Sequence, residues 1–210
     1  LQYFGASALC AVTSHVSTPA AAQTYLTKPI RLIVAFAPGG ATDTFARISA
    51  AELTRTLGQQ VIVENRPGAG TTIAAEFVAK SSADGYTLLF TDLSTHAIMP
   101  SLYTRLAFNP QLDLVAVAPV SASPLLMAAH PSLGAKNARE LIALAKKHPG
   151  ITCGNSGAGT VTHLAAEKFR TRAGIDLLSV NYKGGTTSTV SLMTGELSLI
   201  VNTIPAVLEH

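Results

Sequence analysis

Ile30-Arg31-Leu32-Ile33-Val34-Ala35-Phe36 runs directly into Ala37-Pro38-Gly39-Gly40-Ala41-Thr42-Asp43. The first segment is a β-branched apolar run that starts just after Pro29, and it reads as a buried strand. The second is a loop of small residues. It opens a stretch in which Phe45, Ile48, Leu53 and Leu57 recur at helical spacing, with Thr42 as the expected N-cap and Gly58 as the stop. The chain then repeats this strand–loop–helix unit. Val61 to Val63, Thr72 to Lys80 and Tyr86 to Phe90 read as strand, helix and strand, with Asp84-Gly85 as the last turn. Farther on, Pro124 to Ala129, Ile151 to Cys153, Leu177 to Val180 and Leu197 to Val201 read as strands. Between them lie helices at Asn137 to His148, Thr162 to Arg172, stopped by Gly174, and near Ser188 to Met193. Such alternation predicts an α/β protein with parallel sheets. A second lobe is expected to begin near Ser121, giving lobe one over 23–120 and lobe two over 121–210.

The 210 residues are 48% hydrophobic with a formal charge of +3, enough apolar material for an ordinary core and too little basic charge for a nucleic-acid arm. Tyr3 to Val12 is an apolar run of signal-peptide length, and Ala20-Ala21-Ala22 offers a cleavage site before Gln23. Residues 1–22 are therefore read as part of a signal peptide, which implies export. Cys10 follows Leu9 rather than a small residue, which argues against a lipid anchor there. Cleavage leaves Cys153 as the one thiol of the mature chain, so no internal disulfide is expected.

Two loops join a buried strand to a helix start through small residues. They are Ala37 to Asp43 and Asn155-Ser156-Gly157-Ala158-Gly159-Thr160-Val161-Thr162. First-turn N–H groups lack intrahelical acceptors, and with the helix dipole they form a seat for an anion such as a carboxylate. One helix end contributes only about 0.3–1 kcal/mol when exposed, so useful affinity needs several donors and exclusion of water. Ordinary strand-to-helix connections are also rich in Gly for backbone reasons alone. From the residues, Asp43 reads as a first-turn partner of the dipole rather than a ligand contact.

Motifs for catalysis or cofactors mostly fail. Gly68-Ala69-Gly70 opens a G-x-G-x-x-G pattern, but Ile73 stands where the third Gly belongs, and no G-K-[ST] occurs. Gly154-Asn155-Ser156-Gly157-Ala158 approaches the nucleophile elbow G-x-S-x-G, with Ala158 in place of the last Gly. A serine hydrolase built on Ser156 would need one of His96, His130, His148 or His163 as base. His163 and Glu167 share a helix face, with no third metal ligand evident. No cofactor and no metal are expected.

Several stretches together resemble the solute receptors of tripartite tricarboxylate transporters, the Bug-type periplasmic proteins. They are Lys28-Pro29-Ile30-Arg31, Phe36 to Asp43, Glu64-Asn65-Arg66-Pro67-Gly68-Ala69-Gly70 and Asp84-Gly85-Tyr86-Thr87-Leu88-Leu89, continued by Pro100-Ser101-Leu102-Tyr103 and Asn181-Tyr182-Lys183-Gly184-Gly185. The likeness runs from about Thr27 to the last residue. It implies a two-lobed type II periplasmic-binding-protein fold, closing like a Venus flytrap on a carboxylate held by one loop from each lobe. By position, the first seat is Phe36, Pro38, Gly39, Gly40, Ala41 and Asp43. The second is Ser156, Gly157, Ala158, Gly159, Thr160 and His163. Thr95, His96, Tyr182 and Lys183 are expected at the cleft as well. Asn202 stands where many relatives carry an acid, a change expected to favour an anionic ligand over a zwitterionic amino acid. Relatives continue beyond the position of His210 to complete lobe one, so that C-terminal return is expected to be missing here and apolar surface exposed.

The implied protein is a monomeric, non-catalytic periplasmic receptor that hands a small organic acid to membrane components of a transporter. A serine hydrolase, or an exported sensor with no transport role, is the alternative.

Overall fold

The computed structural model describes residues 25–208. The expected signal segment, Cys10, the cleavage site after Ala22 and His210 lie outside those residues. Two sheets organise the chain. The first has strand order β2-β1-β3, from β1 (Ile30–Val34), β2 (Val61–Asn65) and β3 (Thr87–Phe90), all parallel. Helices α1 (Ala41–Leu57) and α2 (Thr72–Ala79) link these strands. A π-helical turn, Ser94–Ile98, and the short α3 (Met99–Leu102) follow.

β1 is the central strand, which explains its continuous apolar run. Leu32 and Val34 pack with Ala46 and Ala50 of α1, while Ile33, Ala35 and Phe36 face Ala74 of α2. Ile33 and Val34 have no exposed surface at all. A strand covered on both faces has no reason to alternate with polar residues.

The second sheet has order β4-β7-β5-β6, from β4 (Leu125–Ala129), β5 (Ile151–Asn155), β6 (Leu177–Asn181) and β7 (Leu199–Thr203). Helices α4 (Ala138–Lys147), α5 (Val161–Ala173) and α6 (Gly185–Met193) flank it, and α7 (Pro205–Leu208) follows β7. β5 runs parallel to β6 and β7, but β4 pairs antiparallel with β7. The expectation of purely parallel sheets is corrected at this strand. β4 follows the long irregular stretch 103–124 rather than a helix packed on its own sheet, so the right-handed crossover that enforces parallel pairing does not apply.

The caps follow local chemistry. Asn137 caps α4 by accepting the Glu140 N–H at 3.0 Å, and Gly58 and Gly174 close α1 and α5 in the left-handed conformation. Thr42 is not the N-cap of α1. Gly40, with extended backbone, takes that position, and the helix begins at Ala41. In the stretch 112–120, Leu112, Val115 and Val117 are 77%, 88% and 84% exposed. No described helix is long and apolar enough to cross a membrane.

Candidate functional site

The lobes meet along a seam. The Ala37 N–H donates to the Lys183 carbonyl at 3.2 Å, and the Val161 N–H donates to Ser94 Oγ at 3.2 Å. A Cβ built on Gly70 would collide with the Ala158 carbonyl, and one on Gly159 would collide with Leu102. Beside this seam is a cavity of about 230 Å³. Its first-lobe wall is Ala35, Phe36 and the loop Gly68 to Thr71, and its second-lobe wall is Ser156, Gly157, Ala158, Thr160 and Asn181 to Lys183. No acidic side chain lines it.

Seven of the sequence-selected residues line this cavity: Phe36, Ser156, Gly157, Ala158, Thr160, Tyr182 and Lys183. Pro38, Gly39, Gly40 and Ala41 do not. Gly39 and Gly40 instead face Thr186, at the start of α6, whose Oγ1 is buried without a partner among the described residues. Asp43 is 3% exposed and fully engaged inside its own lobe. It accepts from the Gly39 N–H at 2.9 Å, Arg47 Nε at 2.9 Å and Asn65 Nδ2 at 2.8 Å. Desolvation pushes its carboxyl up, but the Arg47, Gly39 and Asn65 donors outweigh that and hold it below the ordinary aspartate range.

Thr95 is fully buried, with Oγ1 3.0 Å from Thr71 Oγ1 and 2.8 Å from Thr91 Oγ1. His96 lies in the π-helical turn, away from the cavity wall. His163 accepts the Gly159 N–H on Nδ1 at 3.1 Å, which braces the second loop from behind. Glu167 pairs with Arg170 at 2.8 Å. Asn202 is 1% exposed. Its Nδ2 donates to the Gly185 carbonyl and Thr189 Oγ1, and its Oδ1 accepts the Thr203 N–H, which anchors the start of α6.

The second loop is more self-sufficient than small residues alone suggest. The Gly157 N–H goes to Asn155 Oδ1, the Thr160 N–H to the Gly157 carbonyl and the Ser156 N–H to Thr162 Oγ1. Only the Ala158 and Thr162 N–H groups of this loop lack an acceptor among the described residues. Ser156 Oγ accepts from Thr162 Oγ1 at 3.1 Å, and no histidine is its hydrogen-bond partner among the described residues.

The loop Gly68 to Thr71 is not among the site residues expected from sequence, although Gly68-Ala69-Gly70 belongs to the stretches that carry the family resemblance. All four have positive φ, including Ala69 at 45° and Thr71 at 82°. Non-glycine residues in that region store strain, and such strain gathers at ligand clamps. The Gly68, Ala69 and Gly70 N–H groups find no acceptor among the described residues, so this loop offers more open amides to the cavity than the second loop does.

The tripartite tricarboxylate transporter family receptor model matches residues 45–210. The chain belongs to that family. Protein BugT of Bordetella pertussis is 39% identical over 200 residues, covering 94% of this chain and 61% of BugT. Three solved structures superpose closely. Rpa4515 of R. palustris with adipate is 33% identical with a TM-score of 0.83, covering 87% of this chain and 61% of its own. The periplasmic binding protein BugD is 30% identical with a TM-score of 0.82, covering 88% and 62%. MatC (Rpa3494) from Rhodopseudomonas palustris with bound malate is 31% identical with a TM-score of 0.81, covering 87% and 64%. The chain thus has the two-lobed α/β fold of type II periplasmic binding proteins, and it spans about three fifths of the length of the curated relatives it matches.

Proposed function

We propose that this receptor chain captures a small organic acid outside the cytoplasm and delivers it to the membrane components of a tripartite transporter. Lobe one over 23–120 and lobe two over 121–210 close on the ligand, and the protein works as a periplasmic monomer after cleavage near Ala22. The supporting observation is the interlobe cavity: open amides, the Ser156 hydroxyl, an apolar wall at Phe36 and no carboxylate of its own. An anion entering it meets donors and no like charge. Adipate in Rpa4515 and malate in MatC make short dicarboxylates the first ligands to try. At about 230 Å³ the cavity is below the ~300–1,000 Å³ usual for drug-sized ligands, which favours a small acid.

In this reading the receptor is not an enzyme. Among the described residues the hydrogen-bond partner of the Ser156 hydroxyl is Thr162 and not a histidine, which supports binding over nucleophilic attack. Ser156 and Ala158 are the second-loop donors to the ligand, while Gly159, Thr160 and His163 shape that loop. Gly39, Gly40 and Asn202 act at one remove, through the α6 start that they contact, and Ala41 opens α1 beside them.

A thermal-shift screen against mono-, di- and tricarboxylates and aromatic acids tests the proposal. Binding to the folded state alone stabilises by RT ln(1 + [L]/Kd), about 2.7 kcal/mol at a hundredfold excess over Kd. Absence of a shift with every acid class overturns the reading. Turnover of an ester or amide that disappears in Ser156→Ala would establish the hydrolase instead.

A further inference from the structure

We infer that Ser94 is a closure latch: its hydroxyl, carried by lobe one, caps the first N–H of α5 in lobe two, and so adds to ligand affinity without touching the ligand. This rests on the proposal that the lobes close around an acid. Val161 is the first residue of α5, and its N–H is one of the donors that an α-helix cannot satisfy internally. Within α5 itself, the N-cap Thr160 accepts the His163 N–H on Oγ1 and the Leu164 N–H on its carbonyl, and neither of these reaches Val161. The acceptor for Val161 comes from 67 residues away in the chain, as Ser94 Oγ at 3.2 Å.

Ser94 is built for this contact. It is 1% exposed, and its own N–H is fixed by Asp92 Oδ1 at 2.9 Å. It opens a π-helical turn, a rare geometry that re-aims side chains and clusters at functional places. When the lobes part, Ser94 and Val161 both return to water at little cost. When they shut, the hydroxyl replaces water at a helix start that is losing its solvent. The bond therefore favours the shut state, and anything that binds the shut state gains by the same factor. Neither Ser94 nor Val161 lines the cavity.

A double-mutant cycle tests the latch. Ser94→Ala removes the acceptor. Val161→Pro removes the donor at the one helical position where proline is welcome, and the extended Thr160 backbone (φ −80°, ψ 164°) accepts a following proline. Kd for malate and for adipate is measured by calorimetry. Each single variant weakens binding about fivefold, the effect of one ordinary hydrogen bond, and the double variant weakens it about fivefold, not about twenty-fivefold. Val161 amide exchange, followed by NMR in unliganded and acid-saturated protein, is about tenfold faster in Ser94→Ala than in wild type.

Wild-type affinity in the single variants, or multiplied effects in the double, overturns the latch, as does unchanged Val161 exchange. A wild type that binds neither acid counts against the acid-receptor reading. The latch is then decided by Val161 exchange in the unliganded protein, where equal rates in wild type and Ser94→Ala overturn it.

Discussion

Replacing Gly70 by alanine puts one methyl group into the seam between the lobes. A Cβ there lies far inside contact distance of the Ala158 carbonyl and 3.1 Å from Tyr103 Oη, and the carbonyl is backbone, so it cannot swing aside. Relief to the 3.0 Å that Cβ atoms keep moves one lobe away from the other by more than about 0.5 Å. The two seam hydrogen bonds, Ala37 to Lys183 and Val161 to Ser94, are both 3.2 Å long. They tolerate only about 0.3 Å of stretch before they cease to be hydrogen bonds. Losing both removes about 2 kcal/mol from the shut state, at about 1 kcal/mol each, or roughly 30-fold in Kd.

The methyl also strains the left-handed backbone of Gly70 (φ 58°, ψ 39°) by about 1–2 kcal/mol, but that strain is present with the lobes open or shut. It lowers the melting temperature and leaves Kd alone. Gly58→Ala separates the two effects, because Gly58 is also left-handed (φ 67°) yet has nothing within 4 Å of its would-be Cβ. Calorimetric Kd for malate or adipate, melting temperature, and radius of gyration with and without acid are measured on both variants. Gly70→Ala loses affinity and stays expanded at saturating acid, whereas Gly58→Ala loses a few degrees of stability and binds as wild type does. Equal Kd for Gly70→Ala and wild type would refute the seam.

Asp43 makes loop 38–43 acid-sensitive. Its folded pKa lies below the ordinary 3.8, so the folded state holds the proton less tightly than the unfolded chain. Its stabilisation is complete above that value and is lost as pH falls through the folded pKa, so Asp43→Asn flattens the acid limb of a pH–stability curve from urea melts. Asn202→Asp replaces a side-chain NH₂ that bonds the Gly185 carbonyl with a carboxylate that opposes it, at a site 1% exposed. A loss of about 1–3 kcal/mol in stability is expected by denaturant titration, with weaker acid binding in the same variant. Val115 and Val117, 88% and 84% exposed, form an apolar strip. In the 210-residue chain, Val115→Ser/Val117→Ser lowers light scattering at high concentration without changing the melt.

Much of the fold is legible because the apolar runs are unambiguous. Ile30 to Phe36 is apolar on both faces and became the central strand, and Gly58 and Gly174 ended helices where a left-handed residue was needed. What escaped depends on contacts between distant residues. The direction of β4 is fixed by pairing with β7, some seventy residues later, and nothing local in Leu125 to Ala129 encodes it. The π-helical turn at Ser94 carries no pattern of its own. Small residues do join a strand to a helix at both loops, but they could not say which amides were already taken. The Gly39 N–H goes to Asp43 and the Gly159 N–H to His163, which are side chains four residues onward acting as local braces. The glycines of Gly68 to Thr71 read as a failed nucleotide motif because their purpose appears only when Ala158 of the other lobe stands against Gly70.

That redistribution of donors changes where affinity originates. If each loop were an independent anion seat, either lobe alone would hold a carboxylate with the about 0.3–1 kcal/mol of an exposed helix end. The second loop keeps only two open amides, and those of Gly68 to Gly70 lie in the other lobe. Neither set suffices in water, where each donor is already hydrated. Brought together around about 230 Å³, the two sets converge on one anion, so several donors act on the same carboxylate instead of one or two acting singly. In the proposed reading closure and binding are therefore coupled, because only the shut lobes present both sets of donors to one acid.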